Sequence, residues 1–363
     1  MDKYLIWGTG KRAEAYLGIL NYLTNNNLYK IVAFVDNDKR KWGRQFNGFP
    51  IISPNEIYNV DYDYISVCSV YENEIKDQII NNLNISSDKI KGMYSDFINN
   101  LCEKYKYTED VEIQQTLDLY RYRGFPSIYS FKKETEYKKY ELHYDIEKQL
   151  SYIIFEGKRM YMTRNFSDYT IEDGKKFVSD IWYEQDNNSP HRYEKGNVSV
   201  RNGDILVDCG VCEGNFSLHN IDKVSKVYLV ECDPNWIEAL HYTFAPYKDK
   251  VVFCESFLSN KDTDKTITLD SLIKEKVNFI KMDIEGEEVN ALNGARRLLK
   301  ESDDIRCVIC AYHRHDDEKE IKNIFNDYNM ECSVSDGYML FLCDESIWSN
   351  PELRRGIVRA KKW

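Results

Sequence analysis

The sequence holds no run of the roughly 18 apolar residues that a membrane helix needs. Its first residues, Met1 to Gly8, read as a short strand entering a turn, with no long apolar leader segment. A cytoplasmic protein without a membrane span is therefore expected. Positive charge is in deficit as well: 49 Lys and Arg stand against 60 Asp and Glu, a net charge of −11. That balance repels nucleic acid and anionic membranes at long range, so neither is expected as a partner. No internal repeat or low-complexity linker interrupts the 363 residues, a length that accommodates two cores. Ten cysteines are present, but a zinc-binding arrangement is not. Cys209 and Cys212 fall in a glycine turn, while Cys307 and Cys310 fall in an apolar strand whose alternate residues face opposite ways. Free thiols are expected, and no metal.

What is present centres on residues 204 to 216. Ile205, Leu206 and Val207 form the apolar run of a parallel core strand that ends in Asp208. Gly210 and Gly214 then permit close backbone approach, and Asn215 and Phe216 open a helix whose free N–H groups face a ligand. A second apolar strand, Val227 to Val230, ends in Glu231 roughly 20 residues on, where such folds place the acid that holds ribose hydroxyls. The spacing from Asp208 through Gly210 and Cys212 to Gly214 departs from the dinucleotide fingerprint, and Asp208 would repel a pyrophosphate packed there. S-adenosylmethionine suits this turn, because it carries a sulfonium and an ammonium and no phosphate. The competing reading is an α/β domain with no cofactor.

Three segments follow from the pattern. Residues 1–100 read as a small Rossmann-like nucleotide-binding unit, with a strand over residues 4–7, a turn from Gly8 to Ala13, and a second strand ending in Asp36. Gly8, Gly10 and Asp36 are its candidate nucleotide residues. Residues 101–165 read as a β-rich connection containing a meander; the tyrosines at 120, 122, 137, 140, 144 and 152 fit sheet packing better than ligand stacking. Strand and helix alternate again over residues 166–363, where Asp336 and Gly337 predict a closing hairpin between residues 331–334 and 338–342. The basic residues from Arg354 to Lys362 read as a solvated end.

The run from Asp283 through Glu285, Gly286 and Glu288 to Gly294 and Ala295, preceded by Thr268 to Leu272, resembles the signature of the FkbM family of S-adenosylmethionine-dependent methyltransferases. Cys212, in place of the middle glycine of the commoner turn, resembles that family too. The resemblance spans about residues 180–345. It implies a class I methyltransferase fold, a transferase activity of the O-methylating kind, and Asp208, Gly210, Cys212, Gly214, Glu231 and Asp283 as the cofactor residues. Residues 1–100 separately resemble the front domains of bacterial sugar-modifying enzymes, on Trp7 to Gly10 and Phe34 to Asp38. Together these imply a sugar or nucleotide-sugar acceptor and a place in polysaccharide biosynthesis.

Methyl transfer to a hydroxyl requires alignment of two groups and removal of one proton. His313 is the expected general base, since imidazole titrates near neutral pH. Asp283 then orients His313 or binds the acceptor, Glu285 opens the neighbouring turn, and Glu287 and Glu288 read as acids facing a helix dipole. His191 is the alternative base, in a polar segment from Glu184 to Tyr193 that serves as a lid or as an ordinary loop. A protein that binds nucleotide sugars without catalysis stays open as the alternative function, as does assembly into a homo-oligomer.

Overall fold

The computed structural model describes residues 1–69, 71–92, 94–123, 141–168, 171–348 and 350–362. Tyr137 and Tyr140 of the aromatic set lie outside them. Contacts divide the chain into two units: Met1–Ser130 with Leu342–Glu352, and Phe131–Phe341 with Leu353–Trp363. Among the described residues no helix is long and apolar enough to cross a membrane.

The first unit is an α/β sheet. β1 (Asp2–Trp7) is followed by α1 (Lys11–Ala15), α2 (Leu17–Asn25), β2 (Tyr29–Val35), the antiparallel pair β3 (Gln45–Phe46) and β4 (Phe49–Ile52), then β5 (Tyr64–Val67) and α3 (Glu72–Asp77). The strand order is β3-β4-β2-β1-β5, with β1 parallel to both β2 and β5. Tyr4 through Trp7 are all at most 1% exposed, which is why the strand reads as a continuous apolar run instead of alternating. α4 (Ser95–Lys104) and α5 (Val111–Arg123) pack with this unit, so the segment expected as a β-rich connection begins with helix.

In the second unit β6 (His143–Asp145), β7 (Leu150–Phe155) and β8 (Lys158–Tyr161) form an antiparallel meander, followed by α6 (Ile171–Glu184). The main sheet is then built from β9 (Ile205–Cys209), α7 (Asn215–Asn220), β10 (Lys226–Val230), α8 (Pro234–Phe244) and β11 (Val251–Cys254). A short pair, β12 (Phe257–Leu258) and β13 (Thr266–Ile267), and α9 (Leu269–Leu272) lead back to β14 (Phe279–Met282), α10 (Glu288–Asn293), α11 (Arg296–Glu301), β15 (Ile305–Cys310), α12 (Asp317–Asp327), β16 (Glu331–Val334) and β17 (Ile357–Lys362).

The order is β11-β10-β9-β14-β15-β17-β16, parallel through β15, with β17 antiparallel to both of its neighbours. This is the class I methyltransferase arrangement implied by the resemblance. Helices cover the sheet, and Leu206 and Val207 at its centre are wholly buried, each contributing about 1.5–3 kcal/mol relative to exposure. The chain winds outward from β9 to β11 and then returns to β14, so the carboxyl ends of β9 and β14 meet at the switch point where such sheets bind ligands.

Two expectations fail at the sheet's edge. The hairpin does not form: β16 pairs with β17, Glu331 opposite Lys361 and Val334 opposite Val358, while residue 339 makes only an isolated bridge to residue 354. Ile357, Val358 and Ala360 are wholly buried, and this apolar strand fills the gap between β15 and β16. Nor is the basic segment a solvated end. Arg354 and Arg359 are 6% and 3% exposed because their guanidinium groups bond inward to loop carbonyls.

Candidate active site

The glycine turn follows β9 because the backbone there must pass against the end of β14. Gly210 has φ +73°, and a Cβ added to it would stand 1.7 Å from the carbonyl oxygen of Asp283. Cys212 and Gly214 also adopt left-handed φ, +52° and +84°, and a Cβ on Gly214 would meet Leu240 and Phe244 at 2.9 Å. Only glycine satisfies both constraints at 210 and 214.

Asp208 does not line the turn's open face. It is fully buried, its Oδ2 accepts a 2.6 Å hydrogen bond from Ser217, and its Oδ1 lies 3.1 Å from Lys281 Nζ. Lys281 also donates to the carbonyl of Gly210, so a buried ion pair braces the turn from below. Glu231 closes the turn from the side: its carboxylate accepts the amide of Cys212 at 2.9 Å and those of Cys232 and Asp233 at 2.8 and 2.9 Å. α7 begins directly after Gly214 and runs only six residues.

Beside this turn, at the ends of β14 and β15, four of the expected catalytic residues converge. Asp283 is the hub. Its Oδ2 accepts the hydroxyl of Tyr193 at 2.8 Å and lies 3.4 Å from His191 Nε2; its Oδ1 accepts the hydroxyl of Tyr312 at 3.2 Å and lies 3.5 Å from His313 Nε2. His191 Nε2 is also 3.2 Å from the Tyr312 hydroxyl. Burial works against the Asp283 carboxylate, but the hydrogen bond and charge of His191, with Lys281 and His313, hold its pKa well below the usual range.

His313 is 5% exposed and packs edge-on against Phe341. Its Nδ1 lies 3.1 Å from Glu288 Oε1, and its Nε2 lies 3.7 Å from Glu285 Oε2. Burial lowers the imidazole pKa, yet hydrogen bonding and attraction to Glu288, with Asp283 and Glu285, raise it above 6.5 overall. Glu288 is therefore more than an acid at a helix start. It is wholly buried, accepts the Ile284 amide at 2.8 Å and faces the Nδ1 of the histidine, while Asp283 lies beside its Nε2. Glu285, by contrast, projects outward with its side chain 87% exposed.

The segment from Glu184 to Tyr193 is not a solvated loop at its second half. Ser189, His191 and Tyr193 are buried. Arg359 donates to the carbonyls of Arg192 and Tyr193, and a Cβ on Gly356 would meet the Pro190 carbonyl at 2.1 Å. Tyr193, Tyr312, Glu288 and Lys281 escaped the sequence reading as site residues. One signal was available for Lys281, a lone cation within the otherwise apolar strand leading to Asp283.

Among the described residues two groups could hold a cation by donor chemistry: His191, Asp283 and Cys310, and Asp283, Glu288 and His313. The ring of His313 places its two nitrogens beside different carboxylates, Nδ1 3.1 Å from Glu288 and Nε2 3.5 Å from Asp283. All ten cysteines are free thiols.

In the first unit Gly8 has φ +121°, and a Cβ there would stand 2.3 Å from the Cys68 carbonyl oxygen. Gly10 has open space around it. Asp36 is buried and accepts from the Thr9 amide at 3.2 Å, the Thr9 hydroxyl, and Lys41 Nζ at 2.9 Å. The three candidates thus gather at the carboxyl ends of β1 and β2.

Residues 165–332 match the family model described as the methyltransferase FkbM domain, and residues 1–91 match one described as C2185-like, N-terminal. Among solved structures, methyltransferase FkbM from Methylobacillus flagellatus KT is 17% identical over 99% of this chain and 90% of that one, with a TM-score of 0.49. A precorrin-6y C5,15-methyltransferase from Geobacter metallireducens GS-15 is 12% identical over 46% of this chain and 84% of its own, with a TM-score of 0.33. An rRNA methylase from Streptococcus thermophilus is 15% identical over 45% and 89%, with a TM-score of 0.31. Comparison with curated protein sequences finds no match.

Proposed function

We propose that this chain, whose residues 165–332 match the methyltransferase FkbM domain, takes S-adenosylmethionine as donor and methylates a hydroxyl of a sugar, carried on a nucleotide or a surface-glycan precursor. The observation that carries this reading is the imidazole of His313, held by Glu288 beside Asp283 at the switch point next to the glycine turn. The turn suits the donor: it is edged by the carboxylates of Glu231 and Glu213 and has the acidic chemistry of a site for a cationic, phosphate-free molecule. Glu231 would hold ribose hydroxyls, and the bound donor supplies an electrophilic methyl group.

The chain's own residues account for the proton. An acceptor hydroxyl placed at the Nε2 side of His313 loses its proton there, and Glu288 stabilises the imidazolium that results. Tyr193 and Tyr312 fix both oxygens of Asp283, so its charge stays aimed at the two histidines. Tyr312 and Phe341, in edge-on contact at 4.9 Å, give this side an aromatic wall on which a sugar ring can lie. The first unit binds a nucleotide or a nucleotide-linked group at Gly8, Gly10 and Asp36. Mass spectrometry of nucleotide sugars and glycan sugars incubated with protein and donor tests this. One added methylene names the acceptor, and no gain on any candidate favours the binding-protein alternative.

A further inference from the structure

One acid of the glycine turn, counted above only for its charge, has no assigned partner. Glu213 sits between Cys212 and Gly214, the two left-handed positions, and is 7% exposed. Its side chain makes no ion pair with any described cation; its hydrogen bonds are local, from its own amide and the Cys212 thiol. Lys281, whose positive charge acts on it, is committed to Asp208 and the Gly210 carbonyl. A second carboxylate, Glu184 at the end of α6, comes close enough to repel it. Burial and that repulsion push the Glu213 carboxyl up to about 7.

A buried carboxylate without a counter-ion is costly, and a turn of this kind keeps one only where something compensates it. We infer that Glu213 is the anchor for the α-ammonium of the donor's amino-acid end, with Glu184 adding negative potential from the far side. This rests on the proposed use of S-adenosylmethionine. The arrangement divides the donor between two acids of the same turn: Glu231 at the end of β10 for the ribose, Glu213 for the amino acid.

Calorimetry on the full-length chain separates the possibilities. S-adenosylhomocysteine carries the amino-acid end, and methylthioadenosine lacks it. The isosteric Glu213→Gln is expected to weaken S-adenosylhomocysteine by at least about tenfold while changing methylthioadenosine by less than about twofold. Glu184→Gln is expected to show the same selectivity with a smaller effect. Equal losses for both compounds would mean that Glu213 shapes the turn only, and unchanged affinity for both would mean that it touches neither; each result overturns the inference. If the wild-type chain binds neither compound, the donor assignment itself falls, which is a different failure.

Discussion

The Nδ1 of His313 and the carboxylate of Glu288 lie 3.1 Å apart, both buried, in the second unit. With His313 as the proposed base, the pair should set the pH dependence of turnover. The base must be neutral to accept a proton, so turnover should rise with pH through a histidine pKa above 6.5. Glu288→Gln retains an oxygen for the Ile284 amide but removes the charge, and should move that limb downward. A pH–rate profile of the two proteins checks this.

The same pair has a stability counterpart. A histidine whose folded-state pKa is raised contributes fully below its unfolded value, and the contribution is lost as pH rises through the folded value. The gap in melting temperature between wild type and Glu288→Gln should therefore narrow as pH rises above 6.5 through the raised folded-state value. A gap that widened over this range would contradict the pairing.

His313→Ala should lower turnover on the order of a hundredfold or more while leaving S-adenosylhomocysteine affinity nearly intact. Full activity in this variant would remove His313 as the base. His191→Ala, measured alongside, shows whether the second imidazole on Asp283 shares the task.

Glu231→Ala should weaken S-adenosylhomocysteine strongly in calorimetry, since the variant loses a ribose partner and frees the Cys212 amide. Unchanged affinity would sink the assignment of this turn to the donor.

Arg359→Met removes the donors to the Arg192 and Tyr193 carbonyls. Leaving such groups unpaired costs about 1–3 kcal/mol. A lowered urea midpoint is expected, together with reduced turnover, because Tyr193 loses its support beneath Asp283.

Much of this was legible because local pattern carried it. The strand before Asp208 had to be apolar on both faces, the turn had to contain glycine at 210 and 214, and Asp283 and Tyr312 to His313 had to stand at adjacent strand ends once the β14–β15 pairing was drawn. What sequence could not supply were partners chosen by distance in space. Glu288 looks like any helix-start acid until α10 brings it beneath His313. Tyr193 is one of 28 tyrosines until its hydroxyl meets Asp283. The edge of the sheet was misread for a related reason: a turn signal at Asp336 and Gly337 is local, whereas choosing between residues 338–342 and 357–362 as the partner of β16 depends on which segment fills the space beside β15.

That choice governs the order of assembly. β17 enters between two strands made earlier, and pairs with β15 across some fifty residues of chain. Until residues 357–362 have been synthesised and threaded into place, β15 has β14 on one side and nothing on the other, and the Tyr312, His313, Arg192 and Tyr193 carbonyls lack the arginines that tether them. A nascent chain could build the glycine turn early, yet the backbone on either side of Asp283 would gain these tethers only once β17 is in place.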